Sequence, residues 1–220
     1  MIMPWLGSFQ FFGDEIVTDA IPVLLMSGPL KVSIGVAHGW QRVGREAVVT
    51  KSEGDIVYEV DDQPVLEFYK HYTGGMEPAP DLPLAVYDDD SGRSYLRAPM
   101  HYDHEAGTVT FLGGVPEGAR VNISMASTDE ILDGTVSSLD DALDGLPELF
   151  IPEGALIASC ATRNMLLGSR TSEEIERIRK GLGGDVPVSG FYAFGEISSM
   201  GNSSTVRFHN ETCVTVLFGT

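Results

Sequence analysis

Two amphipathic helices that flank a short apolar run most constrain the fold of this chain. Residues 132–146 place apolar side chains on one helical face, and Ser127 with Glu130 forms a capping box before them. Residues 175–182 repeat the pattern behind Thr171 and Glu174. The run between the helices, residues 155–159, is typical of a strand covered on both faces. This order predicts an α/β layer in the C-terminal half.

Two aromatic-rich apolar runs follow the second helix, at residues 188–197 and 214–218. They complete a predicted C-terminal order of helix, strand, helix, strand and strand. Side-chain alternation along the first run would put Tyr192, Phe194 and Glu196 on one face of a strand.

The N-terminal half contains short apolar runs separated by turn residues, the pattern of an antiparallel meander. A helix is predicted to begin at Pro64. The sequence therefore predicts an α/β fold of mixed α+β character, in which an antiparallel meander precedes the helix–strand–helix–strand–strand layer. Strands are predicted at residues 23–26, 32–36, 48–49, 56–60, 84–87, 95–99, 109–112 and 121–125.

The net charge of the chain restricts the kinds of molecule that it can bind. The net charge is −18, with 32 acidic and 14 basic residues, so the surface repels phosphate backbones and anionic lipids. We therefore expect no nucleic-acid and no membrane partner. An acidic, lysine-poor surface is typical of halophilic proteins. No apolar run approaches the about 18 residues of a membrane helix, and the two cysteines form no disulfide framework, so a cytoplasmic location is expected.

Several residue groups have the chemistry of a site. The His101-x-x-His104 sequence falls on a predicted hairpin turn and has no third ligand nearby, so no metal site is predicted. Cys160 follows the buried strand and, with His209, permits a nucleophile–base pair, although a structural thiol is commoner. Arg163 lies just beyond the same strand. It is placed to pair with a carboxylate, either that of Glu196 or that of a ligand.

The C-terminal motifs resemble those of the FIST domain, a sensory module of signal-transduction proteins. The resemblance rests on Gly190-Phe-Tyr-Ala-Phe-Gly-Glu-Ile197 and Phe208-His-Asn-Glu-Thr212, preceded by Ser159-Cys-Ala-Thr-Arg163. The segment Gly35-Val-Ala-His-Gly-Trp40 resembles the junction between the N-terminal and C-terminal modules of the family. The N-terminal module of the family is usually longer. We therefore assign residues 1–52 to the end or remnant of that module and residues 53–220 to the C-terminal module.

The resemblance implies an intracellular domain that binds a small ligand, with amino acids proposed, and is not an enzyme. It also implies a signalling partner such as a histidine kinase or a cyclic-dinucleotide enzyme, and leaves an oligomer open. No cofactor is expected, but some members of the family are heme-binding nitric oxide sensors. Heme would make His38 and His209 candidate axial ligands, although His38 stands where a glutamine-like residue is expected.

The predicted ligand site lies where the turn at residues 160–163 meets the strand at residues 192–196 and the turn at residues 209–210. Arg163 would bind a carboxylate of the ligand and Glu196 its ammonium group. A ligand-free scaffold and a hydrolase using Cys160 are the alternatives to a sensor. The predicted ligand-binding residues are Cys160, Arg163, Tyr192, Phe194, Glu196, His209 and Asn210.

Overall fold

The computed structural model of the chain describes residues 9–88, 93–146, 150–199 and 205–220. The chain forms two compact units, one that ends at Leu30 and one that begins at Lys31. The smaller unit contains a hairpin of β1 (Gln10–Phe12) and β2 (Glu15–Val17).

The strand predicted at residues 23–26 is wrong. These residues form no strand, and Leu25 is 89% exposed. An extended segment becomes a strand only when a neighbour satisfies its backbone groups, and no described strand pairs with this one. Apolar character alone therefore misled the prediction.

The larger unit begins with the edge strand of one sheet and continues through the strands of another. Its elements are, in chain order, β3 (Lys31–Ala37), β4 (Gln41–Glu53), β5 (Ile56–Val60), β6 (Gln63–Pro64), α1 (Val65–Thr73), β7 (Leu84–Tyr87), β8 (Ser94–Arg97), β9 (Pro99–Asp103), β10 (Thr108–Phe111), β11 (Arg120–Met125), α2 (Thr128–Asp144), β12 (Pro152–Cys160), α3 (Ala161–Leu167), α4 (Ser172–Gly181), β13 (Val188–Ala193), β14 (Glu196–Ser199), β15 (Val206–His209) and β16 (Cys213–Gly219).

The first of its sheets is antiparallel and follows the predicted meander. Its order is β8-β7-β11-β4-β5-β10-β9, with β6 paired to β5. Helix α1 begins after Pro64, as predicted, and buries Leu66 and Tyr69 against this sheet. The hairpin predicted around His101 and His104 is also present, between β9 and β10.

The second sheet is mixed and has the order β13-β12-β16-β3. Strands β12 and β13 are parallel, whereas β16 is antiparallel to both β12 and β3. Leu139 of α2 and Ile178 of α4 pack on one face against Ile157 and Leu217. The apolar run at residues 155–159 is therefore an interior strand, and the predicted α/β class with mixed sheets is confirmed. No helix among the described residues is long and apolar enough to cross a membrane.

Helix α2 lies unusually close to β3 and to the turn that follows it. A Cβ atom on Gly134 would lie 2.5 Å from the backbone of His38, and one on Gly35 would lie 2.0 Å from the carbonyl oxygen of Ser138. Only glycine allows backbones to approach this closely. The capping box of Ser127 and Glu130 forms as predicted and fixes the start of α2.

Two local predictions were wrong. Thr171 makes no capping bond to α4, because its hydroxyl donates to the carbonyl of Gly168 and Glu174 points into the core. The aromatic run at residues 188–197 is not one strand: β13 ends at Ala193, and β14 begins a separate hairpin with β15. A Cβ atom on Gly195 would lie 2.3 Å from the ring of Phe208, so the chain leaves the sheet at a position that only glycine fits.

Candidate functional site

One edge of the mixed sheet collects the segments that the sequence singled out. Strands β12 and β13 are parallel and end side by side, with Cys160 opposite Ala193. At the same edge β16 begins and β3 ends, with Cys213 opposite Ala37. The start of α3, the β14–β15 hairpin, residues 209–212 and the turn after β3 therefore meet here. Ligands commonly bind at such an edge, outside the carboxyl ends of parallel strands.

Arg163 is the central buried charge at this edge. Its strongest partner is Glu174, with 2.8 Å between Nη2 and Oε1. Of the two alternatives that the sequence left open for Arg163, the pairing with Glu196 is therefore wrong. All three of its nitrogens are committed to protein acceptors, which leaves no free N–H group for a ligand carboxylate. The other acceptors are Thr135 Oγ1, Ser159 Oγ and the backbone carbonyls of His38, Ile131 and Glu211.

Glu174 is in turn fully hydrogen-bonded. The Tyr192 hydroxyl donates to its Oε2 at 2.6 Å, and the hydroxyls of Thr135 and Ser159 donate as well. Burial and the neighbouring carboxylate raise the pKa of Tyr192, so its hydroxyl remains a donor. Tyr192 thus covers the buried ion pair, with its ring partly exposed to solvent.

The β14–β15 hairpin presents a polar inner face. Glu196 lies opposite His209, and both are buried with Ser198, whereas Ile197 and Val206 are exposed on the outer face. Because the strand ends at Ala193, the predicted shared face of Tyr192, Phe194 and Glu196 does not exist. Tyr192 contacts Glu174, the Phe194 side chain is half exposed, and Glu196 lies inside the hairpin.

Five buried residues form what we call the hairpin cluster, namely Glu196, Ser198, His209, Asn210 and Glu211. Within the described part of the chain, several of their polar atoms have no hydrogen-bond partner: Glu196 Oε1, both carboxylate oxygens of Glu211, Ser198 Oγ, His209 Nδ1 and Asn210 Nδ2. The Thr162 hydroxyl lies beside Glu211 but forms no hydrogen bond of good geometry with it. Buried polar atoms are normally paired, so a cluster of unpaired ones needs a physical explanation.

The acids of the hairpin cluster are protonated at neutral pH. Burial raises the pKa of Glu196 to about 8, although the Thr212 hydroxyl and Arg163 oppose the shift. Burial also raises the pKa of Glu211 to about 8, and the charge of Glu196 contributes to this shift. Both carboxyl groups therefore carry a proton at pH 7 when no cation lies beside them.

The surroundings of Cys160 oppose thiolate formation. Burial and the nearby carboxyls of Glu211 and Glu196 raise the pKa of its thiol to about 12. Cys160 is the N-cap residue of α3, a position that lowers the pKa of a thiol, but burial and the two carboxyls outweigh this effect. The thiol instead packs as a small buried side chain whose sulfur accepts from the backbone N–H groups of Thr162 and Glu211.

The two candidate heme ligands occupy different surroundings. His209 is fully buried, and its Nε2 is hydrogen-bonded to the carbonyl oxygen of Ser198. His38 borders a cleft of about 500 Å³, but this cleft is also lined by Arg42, Arg93, Glu130 and Asp133. A porphyrin needs apolar walls, so these surroundings do not fit heme. No three metal-binding side chains converge anywhere in the described ranges.

The fold and this edge define a mixed α/β protein with a cluster of buried polar side chains at one edge of its mixed sheet. The chain belongs to the FIST family: the FIST N domain matches residues 5–63 and the FIST C domain matches residues 66–199. FIST domains are generally regarded as sensory domains of signalling proteins. The resemblance inferred from the sequence motifs is therefore confirmed.

Proteins of mycobacteria and of a methanogen are similar to this chain. An uncharacterized protein of Mycobacterium tuberculosis H37Rv is 25% identical over 96% of this chain, and one of Mycobacterium bovis is 23% identical over the same share. An uncharacterized protein of Methanocaldococcus jannaschii is 26% identical over 62% of this chain, which is 25% of its own length. The chain spans 57% of the length of the mycobacterial relatives.

Two residues of this edge were missed in the sequence. Glu174 was interpreted as a helix cap, yet it lies one helical turn before buried Ile178, and an acid on the apolar face of a helix is a signal of burial. Glu211 stands inside the Phe208–Thr212 motif, but no local pattern marks it as a site residue. It has a positive φ of 60° in the turn before β16, a conformation that the sequence did not reveal.

Proposed function

We propose that this chain is a sensory domain in which the hairpin cluster binds the ammonium group of a small molecule, with an amino acid as the leading candidate. The observation that carries the proposal is the burial of the Glu196 and Glu211 carboxyls with three oxygens that have no partner among the described residues. Membership of the FIST family supports the sensory role.

The chemistry of the cluster favours a ligand that donates hydrogen bonds. His209 donates from Nε2 to the carbonyl oxygen of Ser198, so the Nδ1 atom of the neutral ring is an acceptor. When both carboxyls are ionised, this atom and their three unpaired oxygens make four acceptors. Against these four acceptors the cluster offers the Asn210 amide and the Ser198 hydroxyl as donors. An ammonium group brings three donors and a positive charge, which is what the cluster lacks.

The roles of the other predicted residues follow from their positions. Arg163 is a positioning residue, because its donors are used within the protein. The carboxylate of an amino acid would instead meet the Asn210 Nδ2 group, while Tyr192 and Phe194 would supply aromatic walls. Cys160 would border the ligand as an apolar surface.

The β14–β15 hairpin is suited to report occupancy. Arg97 donates to the carbonyl oxygen of Phe208 at 2.9 Å, and Arg207 pairs with Asp88, so the hairpin is tied to neighbouring segments by polar contacts. A ligand beneath it would change these contacts and the exposed outer face with Ile197 and Val206. We propose that this face signals to a cytoplasmic partner such as a histidine kinase or a cyclic-dinucleotide enzyme.

Calorimetry in two buffers of different ionisation enthalpy tests the proposal. A panel of amino acids and simple amines is titrated at pH 7, where both carboxyls are protonated. An ammonium ligand lowers their pKa and should release roughly one proton per molecule bound. Glu211→Gln and Glu196→Gln should each reduce the proton release and weaken binding, whereas Glu176→Gln, at an exposed acid on α4, should change neither. Binding without proton release, or binding unchanged in Glu211→Gln and Glu196→Gln, would contradict the proposal.

The other hypotheses have less support. Heme sensing would have to use His38 or His209, whose surroundings do not fit a porphyrin. Hydrolysis by Cys160 would require a thiolate that its surroundings disfavour. A ligand-free scaffold would leave the unpaired acids of the hairpin cluster without a role.

A further inference from the structure

A cleft of about 500 Å³ lies between the turn after β3 and helix α2, apart from the hairpin cluster. The cleft and the hairpin cluster have no residue in common. Its walls include His38, Arg42, Arg93, Glu130 and Asp133.

Most charges around the cleft are already paired. Glu130 accepts from the backbone and hydroxyl of Ser127, and Asp133 pairs with Arg177 at 2.7 Å. Arg93 binds both carboxylate oxygens of Asp141. These groups shape the walls but have little capacity left for a ligand.

Arg42 differs from the other charged residues of the cleft. Its guanidinium lies 5.0 Å from the ring centre of Tyr87 and forms no ion pair within the described part of the chain. Stacking on Tyr87 orients its planar N–H groups, which leaves them available to an anion.

His38 supplies a second donor. Its Nδ1 accepts a hydrogen bond from the backbone N–H of Trp40 at 2.9 Å. Burial and the charges of Arg163 and Arg42 lower the pKa of His38 to about 4, so the ring is neutral at pH 7. A neutral imidazole that accepts at Nδ1 carries its hydrogen on Nε2, and no described residue accepts from that group.

We infer that this cleft binds a small monocarboxylate, with the guanidinium of Arg42 and the Nε2–H group of His38 as its donors. A guanidinium matches the two oxygens of a carboxylate, and the imidazole adds a third hydrogen bond. The carboxylates of Glu130 and Asp133 on the opposite wall disfavour a doubly charged phosphate.

The cleft is connected to the buried ion pair by a single hydrogen bond. The carbonyl oxygen of His38 accepts from Arg163 Nη1 at 2.6 Å, and Arg163 binds Glu174. An anion that moves His38 therefore acts directly on the group around which the sheet edge is organised. A monocarboxylate in the cleft would therefore act on the domain at a position separate from the hairpin cluster.

Titration of the whole chain with sodium acetate, followed by the ¹⁵N and ¹H shifts of the His38 ring, tests the inference. Ionic strength is kept constant with chloride, and His38→Gln assigns the signal. The shift should saturate, and Arg42→Gln should weaken acetate binding roughly tenfold, the loss expected for a charge-assisted hydrogen bond. Arg42→Lys retains the charge but not the planar fork, so its affinity for acetate should lie between those of the unaltered protein and of Arg42→Gln.

The control is Arg45→Gln, which removes the same charge from the same strand outside the cleft and should leave acetate binding unchanged. Glu211→Gln should also leave it unchanged, which separates this site from the hairpin cluster. A shift that does not saturate, equal effects of Arg42→Gln and Arg45→Gln, or phosphate that binds as tightly as acetate would overturn the inference.

Discussion

Arg163 and Glu174 form an ion pair whose Nη2–Oε1 distance is 2.8 Å and whose side chains are 0% and 2% exposed. Arg163 lies in the first turn of α3 and Glu174 in the first turn of α4, so the pair joins two helices across the edge of the mixed sheet. Its other hydrogen bonds reach α2, the turn after β3, the end of β12 and the turn before β16. The buried charge of Arg163 therefore holds together the elements that form the site.

Removal of one partner should therefore destabilise the domain strongly. We expect Glu174→Gln to lower the free energy of unfolding by about 3–5 kcal/mol, because it leaves the Arg163 charge buried without a counter-ion. Urea denaturation followed by circular dichroism measures the loss. The control is Asp129→Asn, which breaks an exposed pair with Arg170 and should cost less than about 1 kcal/mol. Equal losses in the two variants would show that Glu174 is not a structural counter-ion.

Stability should fall as the pH rises toward 8. The folded protein retains protons on Glu196 and Glu211 up to a pKa of about 8, whereas the unfolded chain releases them near pH 4.5. Their stabilising contribution is thus complete below pH 4.5 and is lost as the pH rises through 8. The lowered pKa values of His38 and His209 act in the opposite direction, but only below pH 6.5.

Thermal or urea unfolding between about pH 6.5 and 8 measures this effect, on the order of 1 kcal/mol per pH unit for each carboxyl. Glu211→Gln and Glu196→Gln should each reduce the slope, whereas Glu176→Gln should retain it. A slope that is the same in all four proteins would mean that the two acids titrate normally.

Cys160 should resist alkylation in the native protein. Its thiol is buried and has a pKa of about 12, so almost no thiolate is present at pH 8. Iodoacetamide followed by mass spectrometry should label neither cysteine in buffer and both in urea, since Cys213 is buried as well. Rapid labelling of native Cys160 that Cys160→Ser abolishes would revive the thiol hydrolase hypothesis.

Gly134→Ala should destabilise the domain although alanine is the better helix former. A Cβ atom at this position would lie 2.5 Å from the carbonyl carbon and oxygen of His38, so α2 or the turn after β3 must move. We expect a loss of about 1–3 kcal/mol, the usual cost of overpacking. Asp140→Ala, at an exposed position of the same helix, should be neutral or stabilising. The measurement is the midpoint of urea unfolding.

Patterns of short range predicted much of the fold. The start of α1 after Pro64, the capping box of Ser127 and the interior strand at residues 155–159 each depend on neighbouring residues, and the structure confirms them. The strand at residues 23–26 failed because its existence depends on a partner strand, which no local pattern specifies.

The candidate site was predictable only in part. The convergence of residues 160–163 with the segments around Glu196 and His209 follows from strand ends that meet at one edge. The pairing of Arg163 could not be read locally, because the sequence offered several acids and the choice of Glu174 depends on how α3 and α4 pack. Gly195 ends the aromatic run through its contact with Phe208, a residue on the other strand of the hairpin. The ligand role of the predicted residues stays a prediction.

The hydrogen bonds of Arg163 have a consequence for how the domain assembles. Its carbonyl acceptors come from His38, Ile131 and Glu211, the first of them 125 residues away along the chain. A partly folded state that lacks any of these segments must either bury an unsatisfied guanidinium, which is costly, or leave Arg163 in water and the surrounding edge unpacked. We therefore expect the three segments to fold and unfold together. In this way one residue couples the beginning, middle and end of the larger unit in a single cooperative transition.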